Sequence, residues 1–173
     1  DSIIIIGSVL VIFAATFAVA LWPAYTIDHA PSGEWRPLTA LEERGRLRYI
    51  ANGCTYCHSQ YVRPQDWGIG AERIAQAGDY HEQRPHLLGS ERTGPDLSQE
   101  GGEHPDDWHL AHFINPRLTS PRSLMPRFGF ETRSDTSALI AYVQSLGGKD
   151  ADARVAAQRR WKAEAVAAYN KGP

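Results

Sequence analysis

The chain has 173 residues, a formal net charge of −2 and 42% hydrophobic residues. That is one-domain length with an almost balanced charge, which gives no electrostatic reason for a nucleic-acid or polyanion partner. The apolar content is concentrated at one end: residues 3–22 contain no charged side chain. At ~1.5 Å per residue, a helix of that length crosses a ~30 Å hydrocarbon core. A signal peptide would instead have a basic start, a shorter apolar stretch and a small-residue cleavage site. Trp22 and Tyr25 suit an interfacial aromatic belt in the lipid bilayer. We therefore expect a membrane anchor over 1–24 and a stiff connector over 25–38, because Pro23, Pro31, Gly33 and Pro37 oppose a continued helix.

Next, Thr39-Ala40-Leu41-Glu42 has the pattern of a capping box, with Thr39 covering a first-turn amide and Glu42 reaching back. Leu41, Gly45 and Tyr49 follow at a spacing of four, a face whose small middle residue leaves room for a crossing helix. This helix delivers Cys54-Thr55-Tyr56-Cys57-His58 at its end. Cys-x-x-Cys-His is the attachment signature of c-type haem, in which two thiols form thioethers and the next imidazole becomes an axial ligand. A redox dithiol would want a βαβ context, and a zinc site would want further ligands; the chain's only cysteines are these two. The haem reading needs a second ligand downstream. Met125, the one methionine, sits where a soft, neutral thioether would favour ferrous iron; otherwise it is a core filler. Bacterial attachment of haem c takes place outside the inner membrane, so the expected location of the haem domain is the periplasm.

Residues 59–93 lack a period. A short helix is expected at 71–76, and Arg63 fits either a haem propionate, bound in a bidentate manner, or a plain surface role. Gly94-Pro95 is a turn whose proline carbonyl is a candidate acceptor for the second nitrogen of His58. Residues 105–115 read as a helix with Asp106 and Asp107 in its first turn and with Trp108, His112, Leu110 and Phe113 on an apolar side. His109 and His112 are metal-ligand types, more ordinarily packing or polar-face histidines. Asn115-Pro116 ends the helix, and residues 116–126 form a loop carrying Met125. Ser134 is the expected cap of a last domain helix with Leu139, Val143 and Leu146 in register, crossing the 40–52 helix and closed by Gly147-Gly148. An alanine- and charge-rich tail helix follows, with Val155, Trp161 and Val166 forming a narrow stripe that either rests on a partner or is solvated.

The ordered set Gly53-Cys54, Cys57-His58-Ser59-Gln60, Val62-Arg63-Pro64, Arg92-Thr93-Gly94-Pro95-Asp96-Leu97, Gly101-Gly102, Asp107-Trp108-His109, Asn115-Pro116-Arg117 and Met125-Pro126 resembles the membrane-anchored mono-haem cytochrome c subunit, CcoO or FixO, of C-family (cbb₃-type) haem–copper oxidases. The resemblance implies an all-α protein: a single N-terminal transmembrane helix, a class I-like cytochrome c domain over 39–148 with long loops, and a C-terminal tail helix over 149–173. It implies one covalently attached haem c, with thioethers at Cys54 and Cys57 and axial ligands at His58 and Met125. It implies electron transfer to a large membrane-embedded haem–copper catalytic subunit that reduces oxygen, fed by a periplasmic cytochrome donor or a sister dihaem cytochrome c subunit, with no catalytic residue in this chain. The cytochrome subunit of a related nitric oxide reductase, and a free-standing anchored shuttle, are the alternative readings.

Overall fold

A computed structural model describes residues 1–27, 30–63, 66, 73–89 and 91–172. All regular structure among them is helical, apart from one isolated bridge between Gly101 and His104. The chain divides into two units, Asp1–Ala30 and a second beginning at Pro31.

In the first unit, helix α1 runs over Ser2–Thr26 without burying a side chain, and is long and apolar enough to cross a membrane. It continues through Pro23, which the sequence marks as the stop. A π-helical turn at Phe17–Leu21 immediately precedes the proline. Such a widened turn relieves the clash between a proline ring and the carbonyl four residues earlier, so the helix passes the proline by one turn.

In the second unit, α2 (Ala40–Ala51) starts with the expected capping box: the Glu42 amide donates to Thr39 Oγ1 at 3.3 Å, and the Thr39 amide donates to Glu42 Oε2 at 2.7 Å. Helix α3 spans Asp106–Ile114, α4 Arg133–Gln144 and α5 Gly148–Asn170. The central packing is α2 across α4. Gly45 lies at the crossing, where a Cβ atom would stand 1.9 Å from the Ala138 carbonyl oxygen. One turn on, Tyr49 and Tyr142 meet edge to face with ring centroids 5.4 Å apart. Gly45 and Tyr49 are buried, but Leu41 is half exposed.

The cap of α4 is Thr132, not Ser134. The Asp135 amide donates to Thr132 Oγ1 at 3.1 Å, and the Thr132 hydroxyl donates to the Asp135 carboxylate, so the earlier of two good capping residues is chosen by its acidic partner. Leu139, Val143 and Leu146 join Tyr49, Tyr80, Leu87, Phe113 and Tyr142 in the core. In α3 the buried residues are His109 and Phe113, whereas Leu110 is exposed, so the buried side is rotated from the expected one. The helix expected at 71–76 begins outside the described residues; 73–76 is not helical, and a 3₁₀ turn follows at Ala77–Tyr80.

The first half of α5 rests on the domain. Ala151 and Val155 are buried, Arg154 donates to the carbonyls of Gly101 and Gln99, and Gln158 donates to that of Gly102. Arg36 holds Glu42 of α2 and Asp152 of α5 together, with contacts of 2.5–2.8 Å. Beyond that point Trp161, Val166 and Tyr169 are exposed.

Candidate haem site

Four features of the backbone place the motif. Helix α2 ends at Ala51, and Gly53 adopts φ 68°, a left-handed conformation that costs glycine nothing. A 3₁₀ turn over Cys54–Tyr56 follows, closed by the amides of Cys57 and His58 donating to the Cys54 carbonyl at 3.2 and 3.0 Å. Both thiols thus stand on one tight turn, and neither is in a disulfide. Cys54 packs against the core, and burial pushes its thiol up to about 12. A redox-active cysteine needs the opposite shift, so this environment suits a thiol destined for a neutral thioether better than a thiolate.

His58 is fixed by the Gly94–Pro95 turn. Its Nδ1 lies 2.8 Å from the Pro95 carbonyl oxygen. A carbonyl only accepts, so Nδ1 carries the proton and Nε2 presents its lone pair. Burial lowers the pKa of this ring, which keeps it in the neutral, ligand-competent form. The Gly94 amide donates to the Cys57 carbonyl at 2.8 Å, and a Cβ on Gly94 would fall 2.3 Å from His58 Cε1. Gly94→Ala should therefore displace the imidazole or the turn. The expected cost is about 1–3 kcal/mol of stability, the usual range for overpacking, together with a lower yield of haem-loaded protein; thermal melting and the haem-to-protein absorbance ratio check both.

A carboxylate that sequence reasoning missed ties this turn to the motif. Asp96 accepts from Ser59 Oγ at 2.6 Å, from the Tyr61 amide at 2.8 Å and from the Ser98 amide at 2.9 Å, and also from the Ser98 hydroxyl. Arg92 completes the knot by donating to Ser59 Oγ and the Tyr61 carbonyl at 2.7 and 2.6 Å. Gln60, fully buried, bonds to the Tyr142 hydroxyl of α4. The only signal for these residues was that Ser59, Gln60, Arg92 and Asp96 all fell within the family-like segments. Arg63 is engaged by Asp66 through two contacts of 3.0 Å, and Arg92 Nη1 reaches the same carboxylate at 2.9 Å.

Met125 sits on a separate loop and packs against the core. Its carbonyl accepts from Arg117 at 2.7 Å and its amide donates to Ser123 Oγ at 3.2 Å. Its sulfur lies 3.1 Å from His112 Nε2. His112 in turn stacks on Trp108, and Trp108 on His104, at centroid distances of 4.6 and 3.8 Å. Burial first, then the neighbouring His58 and His104, pushes His112 down to about 4. His109 is also buried, 3.7 Å from Glu100, and no group of three or more metal-ligating side chains occurs among the described residues. The loop flanking Met125 exposes Leu118, Leu124 and Phe130.

This donor set fits one haem. Two thiols share a turn, an imidazole has its outer nitrogen committed and its inner one available, and a soft thioether comes from a distant loop. The exposed apolar side chains beside Met125 are of the kind a porphyrin covers. A family model described as the mono-haem subunit of cytochrome c oxidase, FixO, matches residues 1–137, a stretch that contains every one of these donors. No curated protein sequence matches the chain.

Proposed function

Because the chain belongs to the FixO family, the mono-haem cytochrome subunits of haem–copper oxidases that associate with a catalytic subunit in a membrane complex, we propose that it relays single electrons through one covalently bound haem c to the subunit that reduces oxygen. The observation that carries this reading is the pairing of the Cys54–His58 turn, its imidazole oriented by Pro95, with the thioether of Met125.

The bound haem supplies a one-electron ferric/ferrous couple. The protein does the rest. Cys54 and Cys57 would hold the group, each thiol adding across a vinyl double bond with its proton going to the neighbouring carbon, so that attachment would consume no electrons. His58 would ligate through Nε2, held in that tautomer by Pro95; a partner of this kind both orients the ring and raises its basicity. Met125 would offer the iron a soft thioether, which favours the reduced state and raises the potential. With the iron held by two side chains of this chain, the domain would pass electrons without binding a reactant. Arg63 stays partly exposed beside Asp66, and its guanidinium is the group that would bind a haem propionate in a bidentate manner.

Helix α1 anchors the subunit in the bacterial inner membrane, with the haem domain in the periplasm, where a soluble cytochrome or a sister dihaem subunit delivers electrons. Purification of the intact complex in mild detergent tests the assignment. The expected preparation contains a large subunit with b-type haem and consumes oxygen. Turnover of nitric oxide without oxygen consumption would transfer the chain to a reductase, and the absence of any large haem subunit would make it a free shuttle.

A further inference from the structure

Taking the electron relay as given, we propose that the loop around Met125 is the docking surface for an acidic electron-carrying protein, drawn to it by Arg122, Arg127 and Arg133.

The distribution of charge carries this. Between Pro116 and Arg133 the chain has four arginines, at 117, 122, 127 and 133, and a single acid, Glu131, although its net charge is −2. Elsewhere in the domain arginines meet carboxylates: Arg36 meets Glu42 and Asp152, Arg44 meets Asp135, and Arg73 meets Asp79. The loop departs from that pattern. The Glu131 side chain is only 2% exposed and is held by Arg48 of α2 and by Asn52. Arg117 is turned to the Met125 carbonyl, 2.7 Å away. Arg122, Arg127 and Arg133 stand exposed, and among the described residues no carboxylate pairs with any of them.

Their place gives the charge a use. Arg127 is two residues from Met125, and Arg122 lies in the Ser120–Ser123 turn, whose Ser123 hydroxyl accepts from the Met125 amide at 3.2 Å. Met125 is itself only partly buried, between exposed Leu124 and Pro126, so an electron entering beside it crosses little protein. Where a porphyrin covers the apolar side chains of this loop, the arginines are what the loop still offers to solvent.

Unpaired like charges repel one another and add nothing to the fold, but they attract a partner of opposite sign over a long range and speed its encounter. A second copy of the chain would present the same arginines and be repelled. A permanently bound subunit has no use for repeated steering, whereas a carrier that must find this face at every turnover has. Its contact is expected to be small and wet, with carboxylates facing the three guanidinium groups. In the step itself one electron leaves the reduced centre of the carrier for the ferric haem; no bond is made or broken and no proton moves.

The test uses the full-length, haem-loaded chain in phosphatidylcholine nanodiscs, with reduced flavodoxin, an acidic flavoprotein carrier, as the probe. Stopped-flow mixing is expected to show reduction of the haem that slows steeply as salt is added. Replacing Arg122, Arg127 and Arg133 together by glutamine is expected to lower the rate constant at low salt by roughly tenfold or more. It is also expected to weaken the binding of oxidised flavodoxin, measured by interferometry, and to leave haem content, potential and reduction by a neutral quinol unchanged. Where the triple variant loads poorly, the single variants decide, each taking a share of the loss. A flavodoxin reaction indifferent to salt, or equally fast in wild type and variants, overturns the proposal while quinol reduction keeps the relay standing. A lowered potential or haem content in every variant places the arginines on the haem propionates, and capture by phosphatidylglycerol vesicles that alone depends on the arginines makes the face a lipid contact; both overturn it. A wild-type haem that the quinol cannot reduce fails the relay and this proposal with it.

Discussion

Alanine at both Cys54 and Cys57 abolishes covalently bound haem, and the protein recovered after denaturation has the mass of the polypeptide alone. The two thiols are the only ones in the chain, and they sit on a single turn closed by hydrogen bonds to the Cys54 carbonyl. No other side chain can form a thioether in their place. Each single substitution should leave one link, at reduced yield. Cys57 is the cleaner test, because Cys54 also fills core volume and its truncation carries a packing cost of its own. Intact-mass measurement, with circular dichroism to confirm that the helices persist, separates loss of attachment from loss of fold. Full haem content in the double variant would contradict the attachment.

The second large effect is on stability. Gly45→Ala should destabilise the domain by about 3 kcal/mol, at the upper end of what overpacking costs. Alanine favours a helix over glycine by roughly 1 kcal/mol, and at an exposed site that gain would win. Here the new methyl would lie 1.9 Å from the Ala138 carbonyl oxygen, 2.5 Å from its carbon and 2.8 Å from Tyr142 Cβ. Two of these three atoms are backbone, so no rotamer change relieves the clash and the α2–α4 crossing must open. A domain of this size should lose roughly 10 °C in melting temperature. Leu41→Ala, at a half-exposed position of the same helix, should change stability by no more than about 0.5 kcal/mol. Equal melting of Gly45→Ala and the parent would mean that the crossing is not close.

Those two helices also show what could be read in advance. The capping box at Thr39 and Glu42, the small residue at 45 and the Cys-x-x-Cys-His turn are local patterns with local causes, and a sequence carries them directly. The buried side of α3 was misjudged because aromatic and histidine residues surround it almost entirely. Trp108 and His112 face partners by stacking, while His109 takes the interior. Leu41 is in register with Gly45 and Tyr49 yet half exposed, because spacing along one helix does not say how far the surface packed against it extends. Thr132 and Ser134 are equally good caps in isolation, and only the reach of Asp135 decides between them.

The least legible part was the polar scaffold. Asp96 gathers Ser59, Tyr61 and Ser98 from two loops with no periodicity, and the pairing of Gln60 with Tyr142 joins residues 82 apart in sequence. Such contacts depend on the loops already being in place. The proximity of His112 to Met125 is of the same kind: thirteen residues separate them, and only the path of the intervening loop brings the ring nitrogen to the sulfur.

The central claim is that electrons pass through this subunit on their way to oxygen, and it is tested most directly by mixing the fully reduced complex with oxygen in a stopped-flow instrument and following the c-type haem of this chain. Re-oxidation of that haem at least as fast as steady-state turnover is the predicted result. A haem that stays reduced while the complex consumes oxygen would contradict the account.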